Sequence, residues 1–340
     1  MRHLFVINPR SFRTQSGLKR IQTDLENCFG GGRAVDYKIY ISRYPRDAVA
    51  AVHRYVSGVS PDEAVRVYAI GGDGILFDCL NGMADFSNAE ITSVPYGNAN
   101  DFVRAFGEDA CHDFRDIKKL SEAPARLVDI MHCGSNYAIN HLGIGLEAQA
   151  TLNAQTIFRR SRSGWIAPFV RHTYTLCGFG SLMNAEVMNQ KYQVLLDGED
   201  MSGCYFNIKI ANGPCNGGAM VSSPYAKPDD GLLDVIFSVS CPLSAVMKSI
   251  GDYTKGHFEK HKMYFRRQCK KISLRSDVPI RVHMDGEAFF TEVLSIEIMP
   301  RRVKFFAPEG SDFADYSHRA YKGPGRDTAH VSGNTRPLSR

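Results

Sequence analysis

The chain has 340 residues, 44% hydrophobic and 23% charged, with a formal net charge of +5. That length accommodates two ordinary domains with cores of their own, and no apolar stretch approaches the roughly 20 residues of a membrane span. The excess charge does not mark a nucleic-acid binder, because between Ser317 and Arg340 five basic residues face one acid and the remainder is nearly neutral.

The opening segment MRHLFVINPR is too short in apolar residues for a signal peptide and reads as a first strand, His3 to Asn8, so a cytoplasmic protein is expected. A helix follows with Leu18, Ile21, Leu25 and Cys28 on one face, ending at Gly30-Gly31-Gly32. DYKIYI reads as a strand, and Pro45 to Val56 as a helix with Ala48, Val49, Val52, Tyr55 and Val56 apolar. Val67 to Ile70 is a strand that stops at Gly71-Gly72-Asp73-Gly74, after which Leu76, Cys79, Leu80 and Met83 return at helical spacing. Alternation of this kind predicts a parallel α/β sheet. A strand feeding a glycine turn and then a helix directs backbone N–H groups and the positive end of the helix dipole at one point, where a phosphate can approach. Asp73 beside such a site has a use if Mg²⁺ bridges the phosphates or if a hydroxyl must be polarised; the plainer alternative is an N-cap.

PYGNANDFVRAFG, Pro95 to Gly107, sets Asn98, Asn100 and Asp101 on a turn before an amphipathic stretch, where they can cap a helix or reach a ligand. From about Leu127 the pattern changes to strands of many lengths: VDIMHC, NYAINHLG, YQVLLDG, YFNIKIANG, LLDVIFSV, KKISLRS, IRVHMDG and VLSIEIMP. Helical regions interrupt them between Ala150 and Met188 and between Ser244 and Tyr253. Asn212 to Val235, with four glycines, three prolines and the pair Asp229 and Asp230, is a long ordered loop whose acids and carbonyls offer a hard-cation site. VHMDGEAF ends a strand in a turn bearing Asp285 and Glu287, and a carboxylate on such a turn is a candidate general base, although surface hairpins show the same composition. Asp197-Gly198-Glu199 repeats that tripeptide and is expected to be only a turn. The nine cysteines include no C-x-x-C pair, which fits reduced, mostly buried thiols and neither a disulfide framework nor a zinc site.

The ordered set GGDGILFD, PYGNANDFVR, GIGLEA, the Asn212 to Val235 loop, TKGHFEKH and the final DGE resembles the diacylglycerol kinase catalytic-domain family, which includes soluble bacterial lipid kinases and sphingosine and ceramide kinases. The resemblance runs from Ile7 to Pro308. It implies an N-terminal α/β nucleotide domain of the NAD kinase and phosphofructokinase kind, residues 1–127, completed by the last strand at about 297–310. A mostly antiparallel β-sandwich lipid-substrate domain, 128–296, would follow, and then a polar basic tail, 311–340, expected to be disordered.

The resemblance also implies ATP- and Mg²⁺-dependent transfer of the γ-phosphoryl group to a lipid hydroxyl, most commonly diacylglycerol to phosphatidic acid, at a membrane surface that the protein visits peripherally; a homodimer is compatible with it. Asn8, Pro9, Arg10, Ser11 and Phe12, with Ser42, would touch the nucleotide. Gly71, Gly72, Asp73, Gly74 and Ile75 would surround its phosphates, and Asn98 and Asn100 would complete the nucleotide site. Asp101 and Asp129 match active-site acids and Glu287 the proton acceptor. A structural Mg²⁺ is implied at Lys227, Asp230 and Leu232, through the backbone carbonyls of the lysine and leucine and the carboxylate of Asp230. His257 would fix packing. Ile75, Phe77, Asp78 and Asn98 depart from the family's threonine, asparagine, glutamate and threonine, which leaves open a catalytically silent lipid- or nucleotide-binding relative and a kinase of a soluble substrate. The segment from Ile157 to Phe179, with Arg159, Arg160 and Arg162 beside Trp165 and Phe169, suits either a membrane-facing edge or an amphipathic core helix.

Overall fold

The computed structural model describes residues 1–12, 14–30, 36–160, 176–178, 180–218 and 220–320. Its first lobe alternates strand and helix as the periodicity predicts: β1 (Arg2–Ile7), α1 (Gln15–Phe29), β2 (Asp36–Ile41), α2 (Asp47–Ser57), β3 (Val65–Gly71), α3 (Asp73–Met83) and β4 (Ala89–Pro95). These strands are parallel in the order β4-β3-β1-β2. β3 is buried at every position, as a central strand covered on both faces must be. On α1 the buried stripe is Ile21, Leu25 and Phe29; Cys28, expected on that stripe, is exposed because Phe29 closes the helix against Phe5 and Tyr37. β4 carries buried Thr92 and Ser93 among its apolar residues, and these polar positions hide it from a reading of alternation.

Two short helices, α4 (Ala110–Asp113) and α5 (Ile117–Glu122), lead into β5 (Ala125–Cys133), which contains Leu127. Beyond it lie β6 (Asn136–Ala138), β7 (His141–Gly145), α6 (Leu146–Arg160), α7 (Ala185–Met188), β8 (Lys191–Leu196), β9 (Glu199–Asp200), β10 (Gly203–Ala211), β11 (Leu233–Val239), α8 (Leu243–Tyr253), β12 (Tyr264–Cys269), β13 (Lys271–Met284) and β14 (Glu287–Phe306). The strands read separately as KKISLRS and IRVHMDG are one strand, β13, with an irregularity between Arg275 and Ile280. β8 pairs with both β10 and β13, and β7 joins those two again, so the antiparallel strands return on themselves around a second core. This is how a sandwich-like domain limits free strand edges.

β14 ties the lobes together. Its second half pairs with β4 in parallel at Lys304 and Phe305, while β5 runs antiparallel along most of its length. The register slips between Met299 and Val303, where Arg301 adopts φ 51. α3 also bridges: most of its side chains join the first core, whereas Phe77 enters the second. Burying that ring contributes about 2–3 kcal/mol toward holding the lobes in register.

The first ten residues of the expected tail are packed rather than disordered. Phe313 lies against Phe106, and buried Tyr316 donates its hydroxyl to the Arg104 carbonyl over 2.8 Å. Aromatic residues in an otherwise polar run gave this segment its anchor. Residues 321–340 lie outside the described residues, as do Arg162, Trp165 and Phe169; the side chains of Arg159 and Arg160 are likewise outside them.

Candidate active site

The carboxyl ends of β1, β2, β3 and β4 supply the first half of the site, the usual position for ligands in open α/β sheets. Gly71 has φ 158, and a Cβ there would stand 2.8 Å from Ile75 Cγ2 and 3.1 Å from Asn8 Cβ, so no larger residue fits. The turn after β3 presses against the turn after β4: Tyr96 and Gly97 both donate their N–H to the Gly71 carbonyl, and a Cβ on Gly72 would meet Gly97 Cα at 3.1 Å. Above Gly74 the described residues leave open space at the start of α3. A phosphate can therefore reach the helix N-terminus there.

Asp73 is the first residue of α3, with Gly72 as N-cap, so the N-cap alternative does not describe it. Its oxygens accept the N–H of Asn100 at 2.9 Å and of Asp101 at 2.7 Å. Asp101 in turn accepts the N–H of Gly217 and of Gly218, each at 2.8 Å, from the long loop of the second lobe. Burial, reinforced by the neighbouring Asp73 charge, pushes Asp101 up to about 7, and burial also raises Asp73. Two acids brought this close in a sheltered place have a standing demand for positive charge.

The other expected nucleotide residues divide. Asn8 spends its side chain on the N–H of Arg10 and so shapes the 3₁₀ turn Pro9–Ser11. Ser11 borders Gly71, Phe12 packs against Tyr96 with ring centroids 4.9 Å apart and planes tilted by 34°, and Ser42 donates its backbone N–H to Ile7 at the end of β1. Asn8, Ser11 and Phe12 thus rim the two glycine turns, with Ser42 set beside the end of β1. Asn98 is exposed on the turn after β4. Asn100 is buried at φ 53, accepts the Gly97 N–H and donates to the Gly97 carbonyl, which locks its own turn. The Ile75 side chain is likewise turned into the first core, so only its backbone borders the site.

Asp129 is not gathered with the other acids. It is fully buried in β5, where one oxygen takes the Arg301 N–H freed by the β14 irregularity and the other takes the Gly231 N–H, each at 2.6 Å. It joins the inter-lobe strand to the Asp229-Asp230-Gly231 turn. Both oxygens are thus engaged by backbone amides, one of them at a bulge that leaves an N–H needing an acceptor.

Glu287 opens β14 opposite Met284, half-buried, in a turn held by the Gly286 N–H donating to His283 Nε2 over 3.0 Å and by Gln155 donating to the Gly286 carbonyl over 3.0 Å. Its charge acts on Asp78, about one and a half turns along α3 from Asp73. Asp78 is pushed up to about 6 by burial, against the pull of Arg46. Arg46 lies at φ 68 with its guanidinium over the Phe77 ring at 4.7 Å, 3.5 Å from Asp78 and 2.8 Å from Asn136 Oδ1. The departures at positions 77 and 78 therefore form a small inter-lobe cluster with Arg46. Spacing along the chain does not show this partnership, since Arg46 is 32 residues away from Asp78.

Among the described residues no group of three or more His, Cys, Asp or Glu is placed to hold a metal. Asp230 caps its own turn by accepting the Leu232 N–H at 3.0 Å, and burial followed by the charges of Asp234, Asp129 and Asp229 pushes it up to about 6. One carboxylate beside carbonyls, among acids, is a donor set suited to a hard cation. His257 stands 3.8 Å from Asp252 in a packed surface network with Lys260 and His261.

Residues 2–133 match the model of the diacylglycerol kinase catalytic domain, and residues 143–307 that of the YegS C-terminal NAD kinase beta sandwich-like domain. The chain is 25% identical over 317 residues to a Bacillus subtilis protein named putative lipid kinase YtlR, spanning 87% of this chain and 96% of that one. It is 29% identical over 252 residues to a Chromohalobacter salexigens protein named probable lipid kinase YegS-like, spanning 72% and 77%. A crystal structure titled as a putative diacylglycerol kinase from Bacillus anthracis superposes with a TM-score of 0.69 at 23% identity, covering 91% of this chain and 97% of that one.

Proposed function

The chain belongs to the diacylglycerol kinase catalytic-domain family, and from that premise we propose that it is an ATP- and Mg²⁺-dependent lipid kinase acting on a lipid hydroxyl, with diacylglycerol to phosphatidic acid as the first reaction to test. One observation carries the reading. The Asp73 carboxylate is fixed by two backbone amides at the open start of α3, and its charge reaches Asp285 in the turn that bears Glu287.

In this reading the rim from Asn8 to Phe12 and Ser42 receives the nucleotide, and the turn Gly71 to Gly74 receives its phosphates. Glu287 takes the proton of the lipid hydroxyl as the oxygen attacks the γ-phosphorus. The bond to the β-phosphate bridging oxygen breaks, and ADP leaves. Positioning and charge neutralisation account for most of the catalysis in such transfers. Mg²⁺ would supply neutralisation at the phosphates, held by Asp73. A second ion would be held by Asp230 and the carbonyls of Lys227 and Leu232. Among the described residues no helix is long and apolar enough to cross a membrane, so access to a lipid rests on peripheral contact with the bilayer.

The test is incubation with Mg²⁺ and γ-labelled ATP against mixed micelles of diacylglycerol, ceramide, sphingosine and monoacylglycerol. Label in an organic-phase product, abolished by Asp73→Asn and by Glu287→Gln, is the expected outcome and identifies the lipid. ATP or lipid binding without labelled lipid would replace this reading with that of a silent relative.

A further inference from the structure

Behind the acid pair lies a buried charge that neither the family motifs nor the mechanism uses. Lys209 lies in the second half of β10, 1% exposed, the one charge in the run YFNIKIANG. A buried ammonium is costly unless it is paired and hydrogen-bonded. Its Nζ donates to Ser222 Oγ over 2.6 Å and stands 3.7 Å from Glu147 Oε1 in the first turn of α6. That turn is itself anchored to β10, because the Glu147 N–H donates to Asn207 Oδ1 over 3.0 Å.

The contacts continue toward the first lobe without interruption. Ser222, accepting from Lys209, donates its own proton to Asn216 Oδ1 over 2.8 Å. Asn216 and Met220 exchange backbone hydrogen bonds of 2.9 and 3.1 Å, closing a tight loop. The tip of that loop presents the Gly217 and Gly218 amides to Asp101, and the Asp101 amide is held by Asp73. Gly217 and Gly218 have φ of 57 and 80, which lets two successive N–H groups converge on one carboxylate. Gly218 also comes close enough to Asn98 and Ala99 that a Cβ there would sit at 3.5 Å from both.

We propose that Lys209 is a positioning residue: through Ser222 and Asn216 it sets the Gly217 and Gly218 amides on Asp101, and so couples the order of the second lobe to the acid pair at the nucleotide turn. Lys209 touches no reacting atom. Its role is to make the glycine loop stiff enough that Asp101, and Asp73 behind it, keep one geometry while the cleft is loaded.

The kinetic part of this inference rests on the proposed kinase activity, and the structural part does not. The experiment is therefore amide hydrogen exchange at Gly217, Gly218, Asn100 and Asp101, run beside steady-state kinetics, in the full-length wild type, Ser222→Ala, Ser222→Thr and Lys209→Met. Ser222→Ala keeps the ion pair and the fold if Lys209→Met does not. The expected result is exchange at Gly217 and Gly218 accelerated ~10-fold or more in Ser222→Ala, with β3 and β1 unchanged, and a ~10-fold lower kcat at nearly constant KM for ATP. Ser222→Thr, which retains the hydroxyl, restores both. Wild-type exchange at the two glycines in a folded Ser222→Ala protein would overturn the chain of contacts, and accelerated exchange with wild-type kcat would overturn the positioning role. If the wild type labels no lipid, the exchange data still decide the coupling, and the kinase reading is what has failed.

Discussion

Asp197-Gly198-Glu199 and Asp285-Gly286-Glu287 are the same tripeptide in two hairpins, and locally they fold alike. The Asp residues have φ of 47 and 43 and the Gly residues 93 and 99, with flanking pairs Leu196 with Glu199 and Met284 with Glu287. This is the two-residue turn that Asp-Gly favours, because both positions require positive φ. Each aspartate also uses its carboxylate as an acceptor for backbone amides: Asp197 for those of Lys270 and Lys271, Asp285 for those of Ile139, Asn140 and His141. The difference is where the turn is placed. The first lies exposed on the second lobe, whereas in the second Asp285 is buried and Glu287 half-buried, with Asp73 close enough to act on Asp285. A motif thus fixes a conformation, and the surrounding packing decides whether that conformation has chemistry to do.

The two turns should separate first in activity. Glu287→Gln is expected to lower lipid-kinase kcat by ~10²–10⁴-fold, while Glu199→Gln leaves it at wild type; equal effects of the two in the micelle assay would break the comparison. Stability should separate them next. Asp285→Ala leaves three amides without an acceptor in a buried place and is expected to cost about 3–4 kcal/mol in urea unfolding, against about 1 kcal/mol for Asp197→Ala, where water replaces the lost oxygen.

A pH series sharpens the same contrast. Burial raises Asp285 to about 6, more than its amide donors lower it. Between about pH 4 and pH 6 the folded chain holds a proton there that the unfolded chain has released, so stability falls as pH rises through that window. The whole contribution is on the order of 3 kcal/mol, of which about 2 kcal/mol falls between pH 4.5 and pH 7, so the stability difference between those two pH values should shrink by about 2 kcal/mol in Asp285→Asn unfolding. The smallest effect concerns a third Asp-Gly turn, Asp230-Gly231, beside Asp129. Millimolar Mg²⁺ should raise the melting temperature by about 2 °C in the wild type and not in Asp230→Asn, read by calorimetry. An identical shift in both proteins would remove Asp230 from the proposed Mg²⁺ site.

Much of this architecture could be read from the chain because it depends on local rules. The α/β alternation of the first lobe, the glycine turn at 71–74 and the hairpin turns follow from spacing and from where positive φ is needed. β12 is not legible in the sequence because YFRRQC alternates weakly, and the buried stripe of α1 closes on Phe29 where spacing predicts Cys28. Lys209 does carry a signal in the sequence, as a lone charge inside a mostly apolar strand.

What the sequence determined on its own was a set of short segments whose backbone leaves little choice: Asp73 at a helix start, Asp101 beyond a glycine turn, Glu287 after an Asp-Gly hairpin. Only the tertiary structure decided which carboxylates share a neighbourhood. Asp73 and Asp101 are joined through amides, and the second lobe reaches them through Gly217 and Gly218, more than a hundred residues away in the chain. Asp129 was drawn instead to the irregularity in β14, and Asn100 to its own turn. Hydrogen-bonding demand explains the division. Turn conformation is set by neighbours along the chain, whereas each buried amide takes whatever acceptor the fold brings to it, and sequence spacing carries no record of that choice.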